Sequence, residues 1–489
     1  MIPAPKKARI YKKSFWLTSQ LGYVSLTPLP DGLYRYLVSS LDDCFHKVFD
    51  PGELDDDEVT YVSFILDPFE KKVPEDYYQI KIIPHHIQLR AETPNGLRYA
   101  VQTLIQHYLK TSQKIFDDPT AGHEMNCLDI EDWPSFPWRG LHLDVSRHFF
   151  DYKFVYRYLN WMAYLKLNKF HWHLSDDQGW RIESKRFPRL HEVGGWRREE
   201  DGSRYGGYYT QKQVRLVVDY AAQRGIEVIP EIDIPGHSTA ILTAHPELAC
   251  FPRQFETLSM WGVSDDILCA GKDDAVAFMK ELFTEVAELF PGQYIHLGGD
   301  EAPKQRWREC PHCQARIRKH KLENEEELQS WLVKALAQHL KGLGKTVVGW
   351  DEILDGKLGR DPVVMAWRGD GVDAARKAHD NGNRYVICPN NKLYFDWHPH
   401  DFPDAPGGFG ITTIQDVYEL DLDRFRFGSK KLFLGGQGNL WTERVPNSRI
   451  AKELVFWRMY PLAELFWSDP KEKDFHKFFD RMNEVEWWL

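Results

Sequence analysis

The chain has 489 residues, more than one average domain, and 43% of them are apolar, enough to bury a large core. Its net charge of −10 argues against a nucleic-acid partner, which calls for a basic face. No apolar run approaches the length of a membrane span, and an aromatic content that includes 18 Trp stands out.

The basic start, MIPAPKKARIYKKSFWL, lacks the apolar core of a signal peptide. The expectation is a cytosolic protein, or a periplasmic or secreted one whose leader has been removed. Residues 1–133 read as a small α+β unit. YYQIKI (77–82) and IQLRAE (87–92) alternate like strands around a turn that contains Pro84. GLRYAVQTLIQHYL (96–109) places Leu97, Val101, Leu104 and Tyr108 at helical spacing. DDDE (55–58) reads as a solvated loop, and the two prolines of EDWPSFPW (131–138) mark a junction.

From residue 134 to 489 strand-like and helical runs alternate. The strands are GLHLDVS (140–146), KFHWHLSD (169–176), IEVIPEID (226–233), YIHLGGDE (294–301), KTVVGWDE (345–352), VVMAWRG (363–369), RYVICPN (384–390) and GGQGNLWTE (435–443). Helical faces lie between several of them: Phe154, Tyr158, Trp161 and Leu165; Phe278, Leu282, Val286 and Leu289; Leu328, Leu332, Leu336 and Leu340. A last helix runs from about Ile450 to Trp467. Eight such units predict a (β/α)8 barrel, a TIM barrel, behind the α+β unit. The glycines of the eighth run lower its strand propensity. A doubly wound sheet would want a GxGxxG loop after an early strand, and none is present.

In such a barrel, chemistry sits at the C-terminal ends of the strands. There the chain places Asp144 and Arg147, Asp176 and Asp177, Glu231, Asp233 and His237, Asp300 and Glu301, Trp350, Asp351 and Glu352, Trp367, and Trp441 and Glu443. Acids and tryptophans on one face suit a hydroxyl-rich ligand, because sugar C–H faces stack on flat rings. Two chemistries fit. One is glycoside hydrolysis by carboxyl groups. The other is metal-dependent hydrolysis, since HWH (171–173) puts two histidines on one strand face, with His237 and His296 further on, as in amidohydrolase barrels. A catalytically inactive carbohydrate-binding protein is a third reading. CPHC (310–313) is a lone CxxC, read as a surface loop able to close a local disulfide.

Taken together, WRGLHLDVSRHFF (138–150), HWHLSDDQGWR (171–181), IPEIDIPGHS (229–238), HLGGDE (296–301), GWDEIL (349–354) and LWTE (440–443) resemble the family 20 glycoside hydrolases, the β-N-acetylhexosaminidases. The resemblance covers nearly the whole chain. It implies an exo-acting, retaining enzyme that needs no cofactor and no metal. Its substrate would be an oligosaccharide or glycoconjugate ending in β-linked GlcNAc or GalNAc. Glu301 would be the general acid/base, and the substrate's own acetamido oxygen the nucleophile, an exception to the two-carboxylate scheme. Asp300 would hold the acetamido N–H, and Tyr394 the acetamido carbonyl. Arg139 and Glu443 would bind outer hydroxyls. Asp176 and His237 would support the acid pair from behind, and Trp350, Trp367 and Trp441 would wall the sugar. Asp396 would neighbour Tyr394, although this chain reads Tyr-Phe-Asp where the family often has Tyr-Leu-Asp. Asp300 is expected to stay charged and to keep Glu301 protonated. The two glycines before the pair are expected to bend the chain and to leave room for the sugar ring.

Overall fold

The computed structural model describes residues 1–17, 21–47, 60–117, 124–429, 431–468 and 473–484. The acidic run 55–58 lies outside them. Residues 7–132 supply a mixed six-stranded sheet: β1 (Lys7–Trp16), β2 (Leu21–Ser25), β3 (Thr60–Leu66), β4 (Tyr78–Ile83), β5 (His86–Ala91) and β6 (Glu124–Asp132), in the order β1-β6-β4-β5-β3-β2. The expected pair is β4 and β5, antiparallel, with Tyr78 opposite Ala91 and Ile83 opposite His86. α1 (Leu33–Lys47) and α2 (Pro94–Asp117) pack together, and α2 rests on the sheet. The α2 face named from its spacing, Leu97, Val101, Leu104 and Tyr108, is buried.

Buried polar contacts weld this sheet to the C-terminal part of the chain. Asp132, at the end of β6, accepts from Tyr78 Oη at 2.6 Å and from Trp467 Nε1 at 3.0 Å, and lies 3.3 Å from Lys166 Nζ. Both charges of this ion pair are buried, so the hydrogen bonds around them are what makes burial tolerable.

Eight parallel strands then close a barrel: β7 (Trp138–Asp144), β8 (Lys169–His173), β9 (Glu227–Glu231), β10 (Tyr294–His296), β11 (Thr346–Trp350), β12 (Val363–Ala366), β13 (Tyr385–Ile387) and β14 (Phe433–Gly438). They pair in chain order, and β14 returns to β7 with Gly436 opposite Arg139. All eight expected strands are present. Asp144 and Glu231 end their strands, and the other expected acids sit on the loops beyond. The glycines of β14 have a packing reason. A Cβ on Gly436 would overlap the ring of Phe466, and one on Gly438 the ring of Phe395. Phe466 belongs to α8 (Ser448–Ser468), the expected last helix of the barrel.

Outer helices match the sequence pattern. In α3 (Tyr152–Tyr164), Asp151 caps the N-terminus by accepting from Phe154 N, and Phe154, Tyr158 and Trp161 face the core. Each such buried aromatic contributes about 1.5–3 kcal/mol. α4 (Gln211–Gln223) opens on a capping box between Thr210 and Gln213. α5 (Asp273–Leu289) starts with two acids, as its dipole favours. α6 (Pro311–His320) and α7 (Glu325–Gly342) come after β10. Among the described residues no helix is long and apolar enough to cross a membrane.

The CPHC expectation is corrected here. Cys310 and Cys313 are fully buried at the N-terminus of α6, not in a surface loop, and neither is in a disulfide.

Candidate active site

A cavity of about 510 Å³ opens where the strand ends converge. Asp300 and Glu301 stand on its wall just after β10, and the chain turns sharply to present them. Gly298 and Gly299 hold φ of +68° and +100°. The expected bend is therefore real, but the space is used by the protein: a Cβ on Gly298 would overlap Asp233 Oδ1 and one on Gly299 would press on Ile353. Glu301 itself sits at φ +48° and His237 at +47°. Non-glycine residues hold this conformation at a cost of about 1–3 kcal/mol, and these two are in contact, 3.5 Å apart.

The two acids differ in environment. The Asp300 side chain is 11% exposed and that of Glu301 46%. Burial raises the Asp300 pKa, only partly offset by His237. Glu301 is lowered, chiefly by its hydrogen bond with His237. This reverses the expectation that Asp300 keeps Glu301 protonated: the nearby imidazolium outweighs the repulsion between neighbours. Glu352 also faces Asp300. Burial, with Asp300 and Asp351 adding, pushes its pKa up to about 8, and it accepts from Trp367 Nε1 at 2.9 Å.

Behind the pair runs a chain of buried charges. His237 Nδ1 lies 3.1 Å from Asp176 Oδ1, and Nε2 lies 3.5 Å from Glu301. Burial opposes a charge on His237, but Asp176 overcomes it and takes the pKa well above the ordinary value. Asp176 also takes Arg147 Nη2 at 2.9 Å and His173 Nε2 at 2.8 Å. The other nitrogen of His173 meets Glu231 at 2.5 Å. Glu231 further holds His171 at 3.0 Å, His296 at 2.9 Å and Trp350 Nε1 at 2.8 Å. His237, itself on the cavity wall, thus contacts the acid pair, and Asp176 stands behind it.

At the other end of the cavity Arg147, Asp396 and Glu443 converge. Arg147 spans Asp144 at 3.2 Å and Glu443 at 3.8 Å, with its guanidinium 4.9 Å from the Trp441 ring centre. Burial raises the pKa of Asp396 well above its usual range, with Glu443 adding to it. Asp300 Oδ1, Asp396 Oδ1 and Glu443 Oε2 are buried without a hydrogen-bond partner. Buried acceptors are rarely left so. Three of them around one cavity ask for a ligand rich in O–H and N–H donors.

Aromatic rings form the walls. Trp367 and Tyr394 stack with centroids 6.0 Å apart and planes at 14°, and Trp441 lies 6.3 Å from Tyr394. Trp350 is buried, tied to Glu231, and packs with Tyr394 and Trp441, whose ring centre is 5.7 Å from its own. Arg139 departs from the expectation. It points away from the site into the sheet–barrel junction, donating to Phe136 O at 2.7 Å, Lys166 O at 2.9 Å and Tyr99 Oη at 2.8 Å. It lies at the start of β7 rather than its end, whereas Arg147, just beyond β7, lines the cavity.

The sequence profile of Glycosyl hydrolase family 20, catalytic domain, matches residues 136–470. The chain belongs to glycosyl hydrolase family 20. It is 41% identical to a β-hexosaminidase of Porphyromonas gingivalis over 84% of this chain, and spans about half of that relative's length, 53%. A β-hexosaminidase of Akkermansia muciniphila is 31% identical, over 87% of this chain and 86% of its own. The fold superposes on a family 20 exo β-N-acetylglucosaminidase from Vibrio harveyi, solved in complex with N-acetylglucosamine. That match has a TM-score of 0.85 at 28% identity, over 99% of this chain and 76% of the other.

Within this family 20 barrel, the HWH histidines face the core. Both nitrogens of His173 are taken by carboxylates, which hold its pKa at about 10 against burial, so it has no lone pair to offer a metal. His171 is held between Glu231 and Gln437. Other residues of the cavity wall escaped the sequence reading, among them Trp261, Trp397, Phe409 and Arg444. They lie beyond the barrel strands, Trp397 and Phe409 in a short strand pair, where no long periodicity marks a residue's direction.

Proposed function

We propose that this chain is an exo-acting, retaining β-N-acetylhexosaminidase that removes terminal, non-reducing β-linked GlcNAc or GalNAc from an oligosaccharide or glycoconjugate. The observation that carries the reading is the pairing of a buried, unsatisfied Asp300 with an exposed Glu301 at a cavity walled by aromatic rings. The names of the matched relatives agree with it. Residues 1–133 are proposed as a supporting unit and 134–489 as the catalytic one.

The chemistry rests on the residues in place. Asp396, Glu443 and Arg147 take the outer hydroxyls of the terminal sugar. Trp367, Tyr394 and Trp441 enclose the acetamido group, with the Tyr394 hydroxyl donating to its carbonyl. Asp300 accepts from the acetamido N–H. The carbonyl oxygen attacks the anomeric carbon as Glu301 gives its proton to the leaving oxygen, and an oxazolinium ion forms. Asp300 stabilises the developing positive charge, the kind of preorganised electrostatics that dominates catalysis. Glu301, now a carboxylate, takes a proton from water, which opens the ring with net retention.

Parallel assays with the para-nitrophenyl β-glycosides of GlcNAc and glucose test the reading. Release from the first alone supports acetamido participation. Equal release from both would mean that a protein carboxylate attacks, and sugar binding without release would mean an inactive binding protein.

A further inference from the structure

Four cysteines that the proposed chemistry does not use meet in one place. Cys250, Cys269, Cys310 and Cys313 are all buried, all outside disulfides, and their sulfurs lie within 4.8 Å of one another. Cys250 and Cys313 are 3.8 Å apart, Cys269 and Cys310 3.8 Å, and Cys269 and Cys313 3.6 Å. A disulfide requires about 2.05 Å. Four thiolates around one zinc, at the usual Zn–S distance of about 2.3 Å, form a tetrahedron with edges of about 3.8 Å. We infer that these four cysteines bind one structural zinc ion, independent of the catalytic cavity.

The surroundings suit thiolates. Cys310 caps α6, Pro311 comes next, and Cys313 lies in the first turn, so the positive end of the helix faces the cluster. A Cβ on Gly271 would overlap the backbone of His312 and Cys313, so only glycine lets this loop reach the CxxC turn. Lys272 Nζ donates to Ala249 O at 2.6 Å, and Trp307 Nε1 to Leu268 O at 3.0 Å.

The position gives the ion a task. Cys250 and Cys269 bracket a long excursion whose base is closed by a bridge between Ala249 and Leu268. That excursion carries Trp261, Gly262 and Val263 to the cavity wall. Leu268 N also donates to Pro235 O at 3.0 Å, two residues before His237. Cys310 and Cys313 come from the segment after Asp300 and Glu301. The ion would therefore staple the loop after β9 to the loop after β10, and with them the two sides of the catalytic relay.

The test is elemental analysis of the full chain, purified under reducing conditions without added metal or chelator. About one zinc per chain is expected, released into a chromogenic chelator only after mercurial modification of the thiols. Cys310→Ser should lose the zinc and Cys44→Ser, outside the cluster, should keep it. Zinc-free protein with all seven thiols titratable after denaturation would overturn the inference. So would a mass lower by about 4 Da, the sign of two disulfides, or iron in place of zinc. The metal content of the unmodified chain decides the matter even where a variant does not fold, and it does not depend on hydrolase activity.

Discussion

His237 stands between two acids, with Nδ1 3.1 Å from Asp176 and Nε2 3.5 Å from Glu301. Asp176 keeps the imidazole charged, and the charged imidazole draws Glu301 toward ionisation. Burial does the opposite to Asp300. The site by itself thus favours the protonation order that the proposed reaction does not use, which needs Asp300 ionised and Glu301 protonated. Substrate must invert it. Its N–H lowers the Asp300 pKa, and its ring shields Glu301 from water and raises the other.

The pH profiles should show this inversion. In the free protein Glu301 holds the lower pKa and Asp300 the higher, so the active pair is the minor singly protonated form and the two limbs are macroscopic values of the coupled pair. kcat reports the complex and kcat/KM the free protein. The limbs of the kcat profile are therefore expected to be displaced from those of kcat/KM, because they belong to the opposite members of the pair. Superimposable profiles would mean that substrate does not reset the pair.

Separate substitutions of the two acids should have different signatures. Glu301→Gln removes the proton donor and should lower kcat about 10²–10⁴-fold, less with a dinitrophenyl leaving group that needs no proton. Asp300→Asn should lower turnover about 10²–10³-fold whatever the leaving group, because its task is to stabilise charge. Turnover is measured with both leaving groups, alongside thermal unfolding to show that the fold is kept. Near-wild-type turnover of Asp300→Asn would remove the acetamido group from the mechanism.

The barrel was legible because its strands are short apolar runs ending in acids, a pattern that survives without knowledge of contacts. Direction was harder to read. β7 is buried along its whole length, so no alternation tells which of its flanking arginines faces the site. The rule that function sits at C-terminal strand ends favours Arg147 over Arg139, and the motif resemblance pointed to the wrong one. The cysteine cluster was hidden by distance along the chain. CPHC shows only half of it, and Cys250 and Cys269 lie far back in the chain, on irregular segments after β9 with α5 and β10 in between.

The two arginines should separate in experiment. Arg147 faces Glu443 and the cavity, so Arg147→Met is expected to lower kcat/KM by about 10- to 150-fold, the range for a lost hydrogen bond to a charged group. Arg139→Met should lower the thermal midpoint by unpairing Lys166 O and Phe136 O, with KM unchanged. The reverse result would restore Arg139 to the sugar site.

Glu231 should set the limits of pH stability. It is buried among His171, His173, His296 and Trp350. Burial alone would raise its pKa, but His296 and His173 hold it well below the usual range. Its stabilisation is therefore present above the ordinary carboxylate range and is lost as pH falls toward its own lower value. His173 has the opposite sign. Its pKa is raised from 6.5 to about 10, so its contribution is complete below 6.5 and disappears as pH rises through about 10. A plateau lies between these limits. Glu231→Gln leaves the His173 charge with Asp176 as its remaining carboxylate partner, and should cost about 3–5 kcal/mol, as breaking a buried pair does. It should also move the alkaline loss to lower pH, because the His173 pKa falls. Thermal midpoints of both proteins across the pH range check this, and an unchanged midpoint would mean that the four partners are held by packing rather than by Glu231.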